Sequence, residues 1–376
     1  MVMLDLSAAF DMVDHEILIK RLHVSYGFCD TVLSWFQSYL TGRTQRVCIG
    51  NHTSTSLPVA HGVPQGSVLG PLLYSLYCMS VGNICRKHNL SYHCYADDIQ
   101  IYLTIDRNDN LSMKIANIDA CIAELKSWMT INLLKLNPGK TEFIMFHTRL
   151  SPSLPSSSSG ILHECTLSSN VKNLGVHFDS TISMSRHTDS IVKSCYFHLS
   201  NIGKIRRYLS PESCKILVQA LVISRLDYCN ALLYSLPDYV LSRLQCIQNH
   251  AARLICCVPK RASITPVLMS LHWLPVIYRI KFKILMLVFK SLHGLAPPYL
   301  QRLINTYNPP RSLRSQSKLL LAAPEYRTST YGMRMFTVAA YVLWNGLPQN
   351  LRDTTNLSEF KGQLKTHFFR LAYDQF

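Results

Sequence analysis

Apolar and polar positions along the first 180 residues change register every few residues. Residues 2–6 (VMLDL) set apolar side chains around one aspartate, the pattern of a short buried strand. Residues 14–40 carry helical spacing in two pieces broken near Gly27. After Gly42-Arg43, the segments 44–49 and 54–59 predict a hairpin. The Gly/Pro-rich stretch 61–71 (HGVPQGSVLGP) predicts a turn, and the apolar run 72–81 a helix. Residues 92–103 (YHCYADDIQIYL) predict two strands around an Ala96-Asp97-Asp98 turn. The cleanest helix spans 111–129, where Leu111, Ile115, Ile118, Ile122, Leu125 and Met129 recur at three and four. Asn137-Pro138-Gly139 predicts a turn, 141–146 a strand, 151–160 (SPSLPSSSSG) a loop, and 171–178 a strand or hairpin.

Beyond residue 183 helical periodicity dominates, with helices expected near 184–207, 212–235, 238–257, 276–293 and 332–345. Proline and glycine separate them, and no fixed-period repeat is present. The chain has 376 residues, 48% hydrophobic and 16% charged, enough for a sizeable core in two or three domains. That balance excludes a disordered chain, which pairs high charge with low hydrophobicity. The 13 cysteines lack metal-ligand spacing and are expected to be reduced thiols. The N-terminus has no signal-peptide pattern, and no apolar run reaches membrane-spanning length. The protein is therefore expected to be intracellular, nuclear or cytoplasmic, and not secreted. Neither a P-loop nor a GxGxxG turn occurs.

The charge divides the chain. Residues 1–180 hold 13 Lys+Arg and 14 Asp+Glu, a net of 13 − 14 = −1, whereas 181–376 hold 25 and 8, a net of 25 − 8 = +17. A basic excess of this size points to a polyanionic partner. In the near-neutral half three carboxylates stand out: Asp5 inside an apolar strand, and Asp97 with Asp98 at a tight turn. Adjacent carboxylates repel, more so when partly desolvated. A hard divalent cation relieves that, because magnesium takes oxygen ligands and keeps water and substrate phosphates in the rest of its shell. Taken alone, an Asp-Asp pair is more often two solvated loop residues.

The pair has company. LDLSAAFDMVDH (4–15), GVPQGSVLGPLLY (62–74), CYADDIQIYL (94–103), LKLNPGKTEFIMF (134–146) and VKNLGVHFD (171–179) occur in this order. Together they resemble palm motifs A to E of the reverse transcriptases of non-LTR (LINE-type) retrotransposons. The stretch 225–257 resembles the region that follows the polymerase motifs in such elements.

The resemblance implies an α+β fold: a polymerase-type palm, with an antiparallel sheet and packed helices, over 1–180. A thumb-like helical region (181–260) and a basic helical C-terminal region (261–376) follow. It implies RNA-directed DNA polymerase activity, with Asp5, Asp97 and Asp98 as catalytic metal ligands for Mg²⁺, or Mn²⁺ as an alternative. Lys140 matches the motif D lysine near the leaving pyrophosphate; the competing reading is a surface lysine. Phe10 matches the aromatic steric gate against a ribose 2′-hydroxyl, or is a core phenylalanine. Gln65 and Gly66 match the motif B turn that contacts the incoming nucleotide, or form a simple turn. Asp11, Asp14 and His15 continue motif A in structural roles such as helix capping, and Leu174-Gly175 resembles the motif E hairpin.

The implied partners are an RNA template, a DNA primer, their RNA–DNA hybrid and a deoxynucleoside triphosphate, with no membrane. Arg206, Arg207, Lys260, Arg261, Arg279, Lys281 and Lys283 are candidate phosphate contacts. Trp273, Trp344 and Tyr278 fit core packing better than base stacking. In the family a fingers region precedes motif A and an endonuclease lies further upstream. With Asp5 almost at the start, the chain is expected to be a palm fragment without fingers, its first strand exposed. The alternative to an active polymerase fragment is a catalytically inactive remnant that binds RNA or RNA–DNA hybrid; an inert, poorly folded product is a third.

Overall fold

The structure is a computed structural model that describes residues 1–106, 108–147, 166–308, 319–326 and 328–374. The predicted loop at 151–160 lies outside the described residues. The chain divides into two compact units: Met1–Val171 with Asp179–Ile182, and Lys172–Phe178 with Ser183–Phe376.

The first unit is built on a five-stranded sheet. Its order is Thr166–Leu167, Glu142–Phe143, Val2–Leu4, Asp98–Tyr102, Ser91–Tyr95. Pairing is antiparallel except between Glu142–Phe143 and Thr166–Leu167, which run parallel. The strand at 2–4 is thus the central one. The expectation that it would lie exposed is overturned: Val2, Leu4 and Leu6 are 0, 2 and 5% exposed. The cause is two-sided pairing, with Val2 opposite both Ile101 and Phe143.

Helices cover the sheet because their apolar positions fall on one face. In Leu111–Ile131 the buried residues are Ile115, Ile118, Cys121, Ile122, Leu125 and Met129, and Asn110 caps the N-terminus by accepting from the Met113 N–H. Burying each such side chain stabilises by about 1.5–3 kcal/mol. Helix His15–Tyr26 starts at Asp14, whose side chain accepts from the Ile17 N–H, and stops at Gly27, whose φ of 69° is left-handed. Helix Asp30–Leu40 follows, and Gly70–Cys78 and Ser80–Lys87 occupy the apolar run after the Gly/Pro turn. The predicted hairpin at 44–59 is a ribbon of two short pairs, Thr44–Gln45 with Leu57–Pro58 and Cys48–Ile49 with His52–Thr53, exposed throughout.

Among its described residues the second unit is mainly helical, and it includes residues 172–178 of a hairpin, Asn170–Asn173 with Val176–Asp179. At its tip Leu174 and Gly175 have φ of 45° and 83°, and the Tyr228 hydroxyl donates to the Leu174 carbonyl at 2.6 Å. The main helices are Ser185–Ile205, Pro211–Val218, Asp238–Cys256, Val276–Leu292, Phe336–Asn345 and Leu357–Tyr373. A π-turn at Gln219–Ile223 joins Pro211–Val218 to Ser224–Asp227. The core is aromatic: Phe289 stacks on Phe360 at 4.3 Å, and Trp344 packs beside Phe360. Among the described residues no helix is long and apolar enough to cross a membrane.

Candidate active site

The central strand delivers the first carboxylate. Leu4 pairs with Ile99, and continuing this antiparallel register by one residue sets Asp5 beside Asp98. Across the hairpin Tyr95 pairs with Asp98, so the turn is the two residues Ala96-Asp97. Asp98 therefore opens a strand, a correction to the three-residue turn expected from the sequence. Ala96 sits at φ 52°, a conformation that costs a non-glycine residue roughly 1 kcal/mol.

The three carboxylates sense one another. Partial burial raises the pKa of Asp98 above the ordinary carboxylate value, and the charges of Asp97 and then Asp5 add to it. One oxygen of Asp5, Oδ2, is buried and accepts no hydrogen bond. Lys140 Nζ lies 3.6 Å from that oxygen, an ion pair beyond hydrogen-bond reach, with the lysine side chain 70% exposed. Lys140 is held there by the chain after the long helix. Leu136 and Lys135 pair with Leu6 and Ser7, the Asn137 N–H donates to the Asp5 carbonyl at 2.9 Å, and a 3₁₀ turn, Pro138–Lys140, follows. Asp5, Asp97, Asp98 and Lys140 thus gather at one end of the sheet.

A second group forms around the glycine turn. The Gly62 N–H donates to the Val13 carbonyl at 2.8 Å, and the Val63 N–H to the Phe10 carbonyl at 2.9 Å. His15 Nε2 bonds the Gly62 carbonyl at 2.8 Å. Gly62 must be glycine: its φ is +89°, and a Cβ would stand 3.0 Å from the Asp11 backbone. Gln65 Nε2 donates to Asp11 Oδ1 at 3.2 Å, and Gly66 follows at φ 81° in open space. Phe10 is half-buried and stacks on Tyr74, ring centroids 4.7 Å apart.

Tyr74 is the residue that sequence reasoning missed. It is fully buried, and its hydroxyl has no hydrogen-bond partner. Burial raises its pKa, with Cys78 next and Asp97 a smaller contributor. It therefore touches the gate candidate while lying within electrostatic range of the turn carboxylate. Its place in an apolar helical run gave no sign of this. Asp14 caps its helix as expected, and Asp11 is paired with Gln65.

The residues suit a hard cation in donor type and in charge. All three candidate ligands are carboxylates, one oxygen is buried without a donor, and the charges of Asp97 and Asp5 raise the pKa of Asp98. Among the described residues no three His, Cys, Asp or Glu side chains converge into a metal cage. Magnesium sites that use one or two carboxylates plus substrate phosphates have no such protein cage either.

In the second unit several expected phosphate contacts are committed internally. Arg206 donates to the carbonyls of Leu254, Ile255 and Leu209, each at 2.8 Å. Arg279 is a bidentate partner of Asp227. Arg207 lies over the Tyr208 ring and Lys281 over Tyr278. Lys260, Arg261 and Lys283 are exposed. Trp273 and Trp344 are buried in the core, and Tyr278 packs against Phe368.

The chain is also similar to known proteins. Residues 1–178 match the family of reverse transcriptases (RNA-dependent DNA polymerases). The chain is 27% identical over 271 residues to the probable RNA-directed DNA polymerase from transposon BS of Drosophila melanogaster, covering 68% of this chain and 28% of that protein. It is 28% identical over 262 residues to the probable RNA-directed DNA polymerase from transposon X-element of the same species, 67% of this chain and 28% of that one. The RNA-directed DNA polymerase from mobile element jockey matches over 199 residues at 27% identity, 50% of this chain and 20% of its own length. The chain thus spans less than a third of each of these relatives. A match over 68% of the chain is longer than the 178 residues of the family match, so similarity continues into the helical half. Residues 1–178, just under half of the chain, thus carry the reverse transcriptase match, and the transposon and mobile-element relatives, themselves RNA-directed DNA polymerases, support a LINE-type, non-LTR reverse transcriptase.

Proposed function

We propose that the first unit is the palm of an RNA-directed DNA polymerase. In that reaction the primer 3′-hydroxyl oxygen bonds to the α-phosphorus of a deoxynucleoside triphosphate, and the bond to pyrophosphate breaks. The observation that carries the reading is the coupling of Asp5, Asp97 and Asp98 at one end of the sheet. Asp5, Asp97 and Asp98 would hold Mg²⁺, with Mn²⁺ as the alternative. Bound there, such ions supply charge stabilisation to the attacking and leaving oxygens.

The remaining roles belong to the chain's own side chains. Lys140, paired with Asp5 and largely exposed, places a positive charge where pyrophosphate leaves. Phe10, fixed by its stack on Tyr74, presents a ring edge against a ribose 2′-hydroxyl. Gln65 and Gly66 offer a turn whose open glycine lets a nucleotide approach the backbone. The helical unit, with its net charge of +17 over residues 181–376, acts as the thumb-like and C-terminal grip on the RNA–DNA hybrid.

Primer extension on an RNA template tests the assignment. Extension is expected with Mg²⁺ or Mn²⁺, and Asp97→Asn is expected to reduce it at least 10³-fold. Extension that survives Asp97→Asn overturns the carboxylate assignment. A second reading, RNA or hybrid binding without catalysis, is favoured by the same +17 charge. It predicts salt-sensitive binding unchanged by Asp97→Asn, and no extension by the unaltered chain.

A further inference from the structure

Two hollows of the second unit share one wall. The first, about 460 Å³, is lined among others by Asn230, Phe282, Lys283, Lys361 and Lys365. The second, about 710 Å³, is lined among others by Phe282, Lys283, Lys290 and Lys361. Phe282, Lys283 and Lys361 border both, so the two hollows adjoin along helices Val276–Leu292 and Leu357–Tyr373 and are treated together as one groove.

Four lysines line it, two from each helix. Lys283 and Lys290 are seven residues apart and Lys361 and Lys365 four apart, so each pair lies along one face of its helix. Among the described residues none of the four is in an ion pair. The carboxylate that borders the groove, Asp227, is already held by Arg279. The helix N-terminus at Leu357 adds nothing, because Asn356 accepts from the Ser358 and Glu359 N–H groups.

At the wall of the first hollow stands a residue with an unmet acceptor. Asn230 is 3% exposed, and its Oδ1 is buried without a donor. A buried polar atom left unpaired is costly, so the position favours a ligand that brings an N–H or O–H. A strand of nucleic acid meets both demands. Its phosphates match the lysines, and its base amino groups or ribose hydroxyls are donors. Seven residues of helix span about 10 Å, roughly three nucleotides of a stacked strand at about 3.4 Å each.

We propose that the groove between Val276–Leu292 and Leu357–Tyr373 binds single-stranded RNA, about three nucleotides deep, through Lys283, Lys290, Lys361 and Lys365. The choice of RNA as ligand rests on the polymerase reading above, while the site uses none of its carboxylates.

The test is fluorescence anisotropy of the full chain with a labelled 12-nucleotide single-stranded RNA, titrated across salt concentrations. Changing all four lysines to alanine is expected to weaken binding at least tenfold and to lower the log–log salt slope by about 3, from ~0.7 per lost phosphate contact. The four Lys→Arg changes should retain binding. An equal number of alanines at Lys20, Lys87, Lys114 and Lys126, all outside the helical unit and the candidate site, should leave most of the affinity. A thermal melt matching the unaltered chain shows that the quadruple alanine variant is folded. Should that variant fail to fold, Lys361→Glu with Lys365→Glu, on one exposed face, replaces it, with the same tenfold loss expected and a slope lowered by about 1.4. An unchanged slope, or an equal loss in the control variant, overturns the proposal. An excess of unlabelled duplex RNA or of a poly-glutamate peptide that displaces the probe as well as single-stranded RNA also overturns it. Loss of extension in Asp97→Asn with groove-dependent binding intact leaves both readings standing. RNA binding that ignores the groove removes this inference alone.

Discussion

Asp98 holds its proton more tightly in the folded chain than in a free one, because part of its carboxyl is desolvated and Asp97 and Asp5 stand near it. The linkage has a definite sign. With the folded pKa above the unfolded value, the ionised group opposes folding, and this penalty grows as pH rises from the unfolded to the folded pKa. Below the unfolded value it is absent. Asp98→Asn is therefore expected to raise the melting temperature at pH 7, with the gain shrinking to nothing as pH falls through the carboxylate range. Thermal melts of both proteins from pH 3 to pH 7 check this. A gain that grows toward low pH contradicts it. By the same charges, added Mg²⁺ is expected to raise the melting temperature of the unaltered chain.

At the scale of elements the glycine turn makes the sharpest prediction. Gly62 and Gly66 both have left-handed φ, but a Cβ on Gly62 meets the Asp11 backbone at 3.0 Å while one on Gly66 meets nothing within 4 Å. Gly62→Ala is expected to cost about 2 kcal/mol or more, and Gly66→Ala about 1 kcal/mol. Chemical denaturation resolves the difference, and equal costs would contradict it. The elements themselves were largely legible in the sequence. The stripe from Leu111 to Met129 appears as a helix because six apolar residues at helical spacing leave no alternative. The ends of Asp14-capped helix His15–Tyr26 were legible because Asp14 and Gly27 carry their own chemistry. Helix Leu357–Tyr373 was not foreseen although Phe360, Leu364 and Phe368 recur at four, since Gly362 and the surrounding polar residues dilute the signal. The site was legible as a list of carboxylates. That Asp98 starts a strand, and that Tyr74 underlies Phe10, depended on long-range pairing that no local pattern records.

For the whole molecule, net charge and usable charge differ. The second half carries +17, yet Arg206 spends its guanidinium on the carbonyls of Leu254, Ile255 and Leu209, and Arg279 on Asp227. Arg206→Ala is expected to destabilise the fold by roughly 2 kcal/mol, since two of those carbonyls end helix Asp238–Cys256. Its effect on RNA affinity should be small once folded protein is compared with folded protein. Lys260→Ala should show the opposite, with an unchanged melt and a shallower salt slope. Melting and binding measured on both variants separate structural cations from available ones.

The backbone bonds from Gly62 to Val13 and from Val63 to Phe10 have a consequence for how such a sequence drifts. The chain leaves this point near residue 14 and returns to it at residue 61, where Asp14 and His61 bridge. The positions of Phe10 and Gln65 are thus fixed by the closure and not by the number of residues between them. Lengthening the exposed ribbon at 44–58 alters only loop entropy, about 0.6 kcal/mol for each doubling. Insertions and deletions there are nearly silent, so the ribbon is free to vary in length while Phe10 and Gln65 keep their places.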